Sequence, residues 1–340
     1  MKKLLLTIYC VFFVSTMVLA DPLPGQTLKF QQLPMDGTII YDSPYWGHDE
    51  VSTAVNYNPG HAGDSGPELY EGIFMADDFA DPFSTPVVHV KWWGSYLNGQ
   101  SGANDPPSGG IMKFLISFES DVPAGMPHPL DNSVTSFSRP GVPLLNQIVT
   151  AGPLSPGSGT FTETFVSPGG YPLDESLFQY NAELHCEFNQ EPDTVYWLKI
   201  VALWDVGTNG TDGIPEWGWH NRDYTKMNPF ASPLVAPGEY VDGILPDGQE
   251  IWHFQDDAVM GQAQITDLGM PNPCLVEVNQ FEASPQHYVD WIDGPGPGGA
   301  TDIGIGQYSK DLAFELYTPE PGTMILLGLG SLGLLKRRRK

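Results

Sequence analysis

Turn-forming residues interrupt this chain so often that short strands, rather than long helices, are what it has room to build. Asn98-Gly99, Ser108-Gly109-Gly110, Pro168-Gly169-Gly170 and Asn209-Gly210 are each turn signatures, and glycine and proline number 38 and 32 among 340 residues. Between the breaks lie runs rich in β-branched and aromatic side chains: Val87–Trp93, Ile111–Phe118, Thr160–Val166, Thr194–Trp204, Ile251–Phe254 and Leu312–Tyr317. Thr160–Val166 alternates polar and apolar residues, as a half-buried strand does, while the apolar Thr194–Trp204 reads as a central strand. Only Leu177–Glu187 has a spacing that suits a short helix. Residues 294–300, Gly-Pro-Gly-Pro-Gly-Gly-Ala, read as a long loop that feeds a last strand back into the same sheet. The pattern predicts an all-β chain, a single β-sandwich or jelly-roll-like domain with long loops over residues 21–318.

Both ends carry export signals. Met1-Lys2-Lys3 is basic, Leu4–Leu19 is apolar and uncharged, and Ala20 is a small residue before Asp21-Pro22. Residues 1–20 therefore read as a secretory signal peptide cut after Ala20. Tyr9 is too large for the position before a lipidated Cys10. At the other end stand Pro319-Glu320-Pro321, an apolar stretch from Met324 to Leu335, and the cations Lys336, Arg337, Arg338, Arg339 and Lys340. Proline prevents a helix from starting before Pro321, and the basic cluster stays on the cytoplasmic side. The apolar stretch is shorter than the ~20 residues that span a bilayer, so its membrane stage is transient. This three-part end resembles the PEP-CTERM sorting signal of Gram-negative bacteria. The resemblance implies an exosortase as partner during export, a short transmembrane sorting helix within residues 319–340, and delivery to the cell envelope or extracellular matrix. An ordinary tail anchor is the alternative.

The body is strongly acidic. All 41 Asp and Glu lie in residues 21–320, against eight Lys and Arg there, a net of −33. Such a surface repels nucleic acid and anionic membranes and favours divalent cations or neutral polymers. Cys186 and Cys274 are the cysteines left outside the signal peptide, and an oxidising compartment favours their pairing over two buried thiols.

Ala76–Phe79, Val90–Tyr96, Ser120–Gly125, Val195–Ile200, Trp217-Gly218-Trp219 and Asp256–Val259 follow one another in an order that resembles an uncharacterised module of exported, PEP-CTERM-bearing proteins from planctomycete-like bacteria. That resemblance spans about residues 70–317. It implies location and a β fold, and no chemistry.

Candidate chemistry is sparse. Gly63-Asp64-Ser65-Gly66 matches the surroundings of a serine-protease nucleophile, but residues 21–64 are too few to supply the preceding half of such a fold. The eight histidines are scattered, without zinc-ligand spacing. Asp205, Asn209, Asp212 and Glu216, around Gly210, resemble a Ca²⁺ loop, although Gly207 replaces an expected ligand. The plain reading is a polar turn, and Ca²⁺ is the one candidate cofactor. The pairs Asp77-Asp78 and Asp256-Asp257 would serve a glycoside hydrolase if one acid of each faced the other across a sugar bond; otherwise they cap turns. Trp217, Trp219 and Trp252, with Trp92 and Trp93, would stack on sugar rings if exposed and form core if not. The expectation is a non-catalytic exported protein of the envelope or exopolysaccharide matrix, with affinity for carbohydrate or Ca²⁺. The alternative is a secreted carbohydrate-active enzyme.

Overall fold

In the computed structural model each of the six β-branched and aromatic runs supplies most or all of its residues to a strand. It describes residues 22–40, 43–57, 67–97, 110–168, 176–206, 214–245, 248–268, 274, 276–285, 291–293, 302–304 and 311–320. In chain order the strands are β1 (Gln26–Gln32), β2 (Thr38–Ile40), β3 (Ser43–Tyr45), β4 (Asp49–Val51), β5 (Thr53–Asn56), β6 (Glu68–Phe79) and β7 (Val87–Tyr96). They continue with β8 (Lys113–Val122), β9 (Arg139–Ala151), β10 (Thr160–Ser167), β11 (Leu177–Phe188), β12 (Tyr196–Asp205) and β13 (Trp217–His220). Last come β14 (Glu239–Ile244), β15 (Glu250–Phe254), β16 (Val259–Asp267), β17 (Val276–Pro285), β18 (Trp291–Asp293), β19 (Asp302–Gly304) and β20 (Phe314–Pro319).

Fourteen of these strands form one hydrogen-bonded sheet in the order β1-β20-β7-β11-β10-β9-β8-β12-β5-β6-β16-β17, with β13 and β4 branching from β7. The link between β10 and β9 is a short parallel pairing at Thr160–Phe161. It acts as a corner, because strands on its two sides meet face to face: Trp92 of β7 touches Phe114 of β8, and Phe79 of β6 touches Phe314 of β20. Phe30, Phe118, Tyr180, Leu198, Ile200 and Trp217 fill the space between the layers. β12 is buried on both sides. Leu198 and Ile200 face that core, while Trp197, Val201 and Leu203 face a second one with Phe74, Leu115 and Ile265. Asn146 of β9 donates to the Val276 carbonyl of β17 at 3.0 Å, so the strands from β9 to β17 curl around the second core.

Two glycines permit close approaches. β12 pairs with β6 through Ile200 and, further on, runs parallel to β5. β5 fits there because Gly72 of β6 has no side chain; a Cβ would lie 2.2 Å from the Thr53 carbonyl. Likewise, a Cβ on Gly94 would lie 2.4 Å from the Trp217 ring.

Two expectations change and one, the disulfide, holds. Leu177–Glu187 lies in a strand, because β11 is hydrogen-bonded on both sides, to β10 and β7, and tertiary pairing overrides the local spacing. The last strand does not stop at Tyr317 but runs through Pro319, opposite Gln26. Cys186 and Cys274 form a disulfide that ties β11 to the segment before β17. The signal peptide with Ala20, the apolar tail with Pro321 and Lys336 to Lys340, the Gly63–Gly66 tetrapeptide and the 294–300 loop lie outside the described residues. Among the described residues, no helix is long and apolar enough to cross a membrane.

Candidate functional site

The acids singled out from the sequence converge. Asp77 and Asp78 sit next to each other on β6, so strand geometry sends their carboxylates to opposite faces. Asp77 accepts from the Leu312 amide at 2.7 Å and from the Asp78 amide at 3.0 Å. Burial drives its pKa well up, and the nearby Asp311 adds to this. On the other face, both Asp78 oxygens are buried and accept no hydrogen bond. Burial again is the main cause of its strongly raised pKa, and the charges of Asp77, Asp256, Asp311 and Asp121 push the same way. Asp121, which receives the Trp197 indole N–H at 2.8 Å, is pushed up to about 6 by burial, with Asp256 contributing.

Thus acids from both motifs do share one region, as a glycosidase would require. Asp256 is partly exposed, but Asp77 and Asp78 are both 0% exposed and unreachable. A sugar chain cannot contact them without opening the sheet, which removes the geometric basis for the hydrolase alternative. Beside them lies a second buried network. Asp311 binds Arg222 at 2.6 Å and His253 at 2.8 Å and accepts the Phe254 amide at 2.9 Å, while Arg222 also reaches Glu239. In the second core, Lys199 pairs with Glu119 at 2.5 Å, both fully buried, with the Phe74 ring 4.3 Å from the ammonium.

The tryptophans divide. Trp217 and Trp219 are 0% exposed; their indoles donate to the Tyr180 hydroxyl and the Ala313 carbonyl. Trp92 is stacked on Tyr180 inside the core, and Trp93 is buried too. None of these four presents a face to a sugar, because each large ring gains more by filling the core. Trp252, on the separate β14–β15 hairpin, is half-buried. Of the Ca²⁺ loop, Asn209 and Asp212 lie outside the described residues. Asp205 is paired with Lys113 at 3.1 Å, and Glu216 is exposed. No group of three or more His, Cys, Asp or Glu among the described residues is placed to hold a metal ion.

Sequence reasoning missed Asp121, Asp311, Glu119 and Lys199. Lys199 had a signal, being the one cation in the most apolar run of the chain. It also missed how the cations are used. Six of the seven Lys and Arg described between residues 22 and 318 are in ion pairs: Lys29 with Asp81, Lys91 with Glu315, Lys113 with Glu68, Lys199 with Glu119, Arg222 with Asp311 and Lys226 with Asp223. Arg139 donates to Ser133. Among the described residues, most of the positive charge is therefore matched by a neighbouring carboxylate, with Lys226 the most exposed of the paired cations.

At the edge of the sheet, β20 hands the chain to the C-terminal tripeptide. Pro319 and Glu320 have exposed side chains, but their backbone is held: Gln26 opposes Pro319, and the Glu320 amide donates to the Gly25 carbonyl at 2.7 Å. Fold and chain end together define an all-β protein whose sorting tripeptide grows straight out of its sheet. The chain matches the family described as Domain of unknown function (DUF7901) over residues 28–277, more than half its length, and belongs to that family. This match begins at β1, well before the residue-70 boundary read from motifs, and ends inside β17. The PEP-CTERM protein-sorting motif matches residues 318–340 and marks an exported protein that an exosortase sorts. No curated protein and no solved structure matches the chain.

Proposed function

We propose that this chain is a non-catalytic protein of the cell envelope or extracellular polysaccharide matrix, exported by a signal peptide cut after Ala20 and released by exosortase processing at Pro319-Glu320-Pro321. The observation that carries the reading is the sorting motif itself, joined without a spacer to the last strand. Two others support the non-catalytic part: Asp77 and Asp78 are sealed in the interior, and six of the seven described cations are held in ion pairs. The acidic coat suits divalent cations and neutral polysaccharide as contacts. The candidate ligands for Ca²⁺ are Asp205, Asn209, Asp212 and Glu216, and of the five tryptophans singled out from the sequence Trp252 is the one left partly exposed for a sugar ring.

The test is fractionation of a C-terminally tagged chain in a host that has an exosortase. Wild type loses the tag and is recovered in the envelope or matrix fraction. The triple variant Pro319→Ala, Glu320→Ala, Pro321→Ala keeps the tag and stays with the membrane. Equal processing and distribution of the two chains would overturn the reading. For the carbohydrate part, a pull-down on neutral polysaccharides should lose binding with Trp252→Ala; equal retention of both chains, or retention of neither, removes it.

A further inference from the structure

The sorting motif is not simply exposed beyond the fold, and this has a consequence for its processing. Peptide-cutting and peptide-binding sites commonly take their ligand as an extended strand, through backbone hydrogen bonds along one edge. At residues 318–320 the β1 side of that backbone is already occupied: Thr27 opposes Thr318, Gln26 opposes Pro319, and the Glu320 amide is bonded to Gly25 at 2.7 Å. The pairing on the other side ends at Tyr317 opposite His89. Beyond it lies a groove of about 530 Å³ whose lining includes Leu23, Val88, Pro156, Leu184, Glu187 and Pro319.

The start of β1 is itself pinned. The Gln26 side chain accepts the Leu23 amide at 2.9 Å and donates to both oxygens of Glu183, at 2.9 and 3.0 Å. Glu183 is 1% exposed and also meets His89 at 2.8 Å, so its own position is well held. A hydrogen bond to a charged, buried acceptor is among the stronger ones.

We propose that β1 is a latch on the sorting motif, with Gln26 as its pin, and that exosortase processing requires the Gly25–Thr27 segment to peel away from Thr318–Glu320. The inference rests on the processing proposed above. It assigns the N-terminal strand a regulatory role: a chain whose first strand has docked presents a shielded motif, and one whose first strand is undocked presents a free one.

Two measurements test it. In the exosortase host, the double variant Thr27→Cys/Thr318→Cys places cysteines directly opposite each other and locks the latch. Loss of the C-terminal tag should stop in the locked chain and continue in each single variant. Tag loss from the locked chain at the wild-type rate overturns the latch while leaving exosortase processing intact. If wild type itself keeps the tag, processing is what fails, and the latch is decided by hydrogen exchange on the purified full chain. There the Glu320 amide should be protected, and Gln26→Ala should speed its exchange roughly tenfold, the loss of about one charged hydrogen bond. An unprotected Glu320 amide in wild type, or exchange unchanged by Gln26→Ala, overturns the proposal.

Discussion

Asp78 has lost more than any other acid described here: it is fully buried, its carboxylate has no hydrogen-bond partner, and like charges surround it. A carboxyl whose pKa is higher in the fold than in the unfolded chain binds its proton more tightly in the fold. Its contribution is then fully present below the unfolded pKa and is lost as pH rises through the folded one. For Asp121 that window runs from the ordinary carboxylate range up to about 6. Asp78 and Asp256 shift in the same direction. Lowering pH from 7.5 to 5.5 should therefore raise Tm, and Asp78→Asn should both raise Tm at pH 7.5 and flatten this dependence. Thermal melts across that range check it, and a wild-type Tm that falls on acidification would show the sign to be wrong. Lys199 behaves oppositely. Lys199→Met strands Glu119 in the second core, where one of its oxygens already lacks a partner. Such a break costs about 3–5 kcal/mol, a Tm loss on the order of 10 °C for a chain of this size. The double variant Glu119→Leu/Lys199→Met should recover most of it.

Among the elements, β11 carries the most constraints. It is paired on both edges, its inward residues Tyr180 and Ala182 fill the core, and Cys186 near its end is tied to Cys274. The bridge links cysteines 88 positions apart. Removing it frees the unfolded chain by about 4–5 kcal/mol on a loop-entropy account. Melting with and without reductant should show a drop in Tm, and Cys186→Ser/Cys274→Ser should melt at the reduced value. A Tm indifferent to reductant would mean the bridge adds nothing to stability. The same element shows where local pattern fails. Its spacing suited a helix, and it became a strand because β7 and β10 offered partners on both sides. By contrast, β10 and β12 were readable directly, since a polar–apolar alternation and a long β-branched run describe a strand in one residue's neighbourhood after another.

For the molecule as a whole, charge is the organising quantity. Ion pairs hold six of the seven described cations, so few positive charges are left to offset the carboxylates of a body whose net is −33. Carboxylates that repel one another across a surface are relieved by divalent cations or by salt. Millimolar Ca²⁺ should raise Tm more than the same ionic strength of sodium chloride if the loop from Asp205 to Glu216 holds the ion. A melting point equal in Ca²⁺, chelator and matched salt would sink that site.

What the sequence determined by itself is everything that depends on neighbours along the chain: the strand runs, the turns between them, the acidic balance and the sorting motif at residues 318–340. Burial of Trp217 and Trp219, the meeting of Asp78 with Asp121 and Asp256, the Lys199–Glu119 pair and the docking of β1 on β20 were decided only in the tertiary structure. Each joins residues far apart in the chain. Whether a tryptophan faces water or a carboxylate finds a partner depends on which strands come to lie side by side, and periodicity along a single strand holds no record of that. The sorting tripeptide illustrates the division. Its residues are legible in one line of sequence, but its restraint comes from a strand that begins almost three hundred residues earlier.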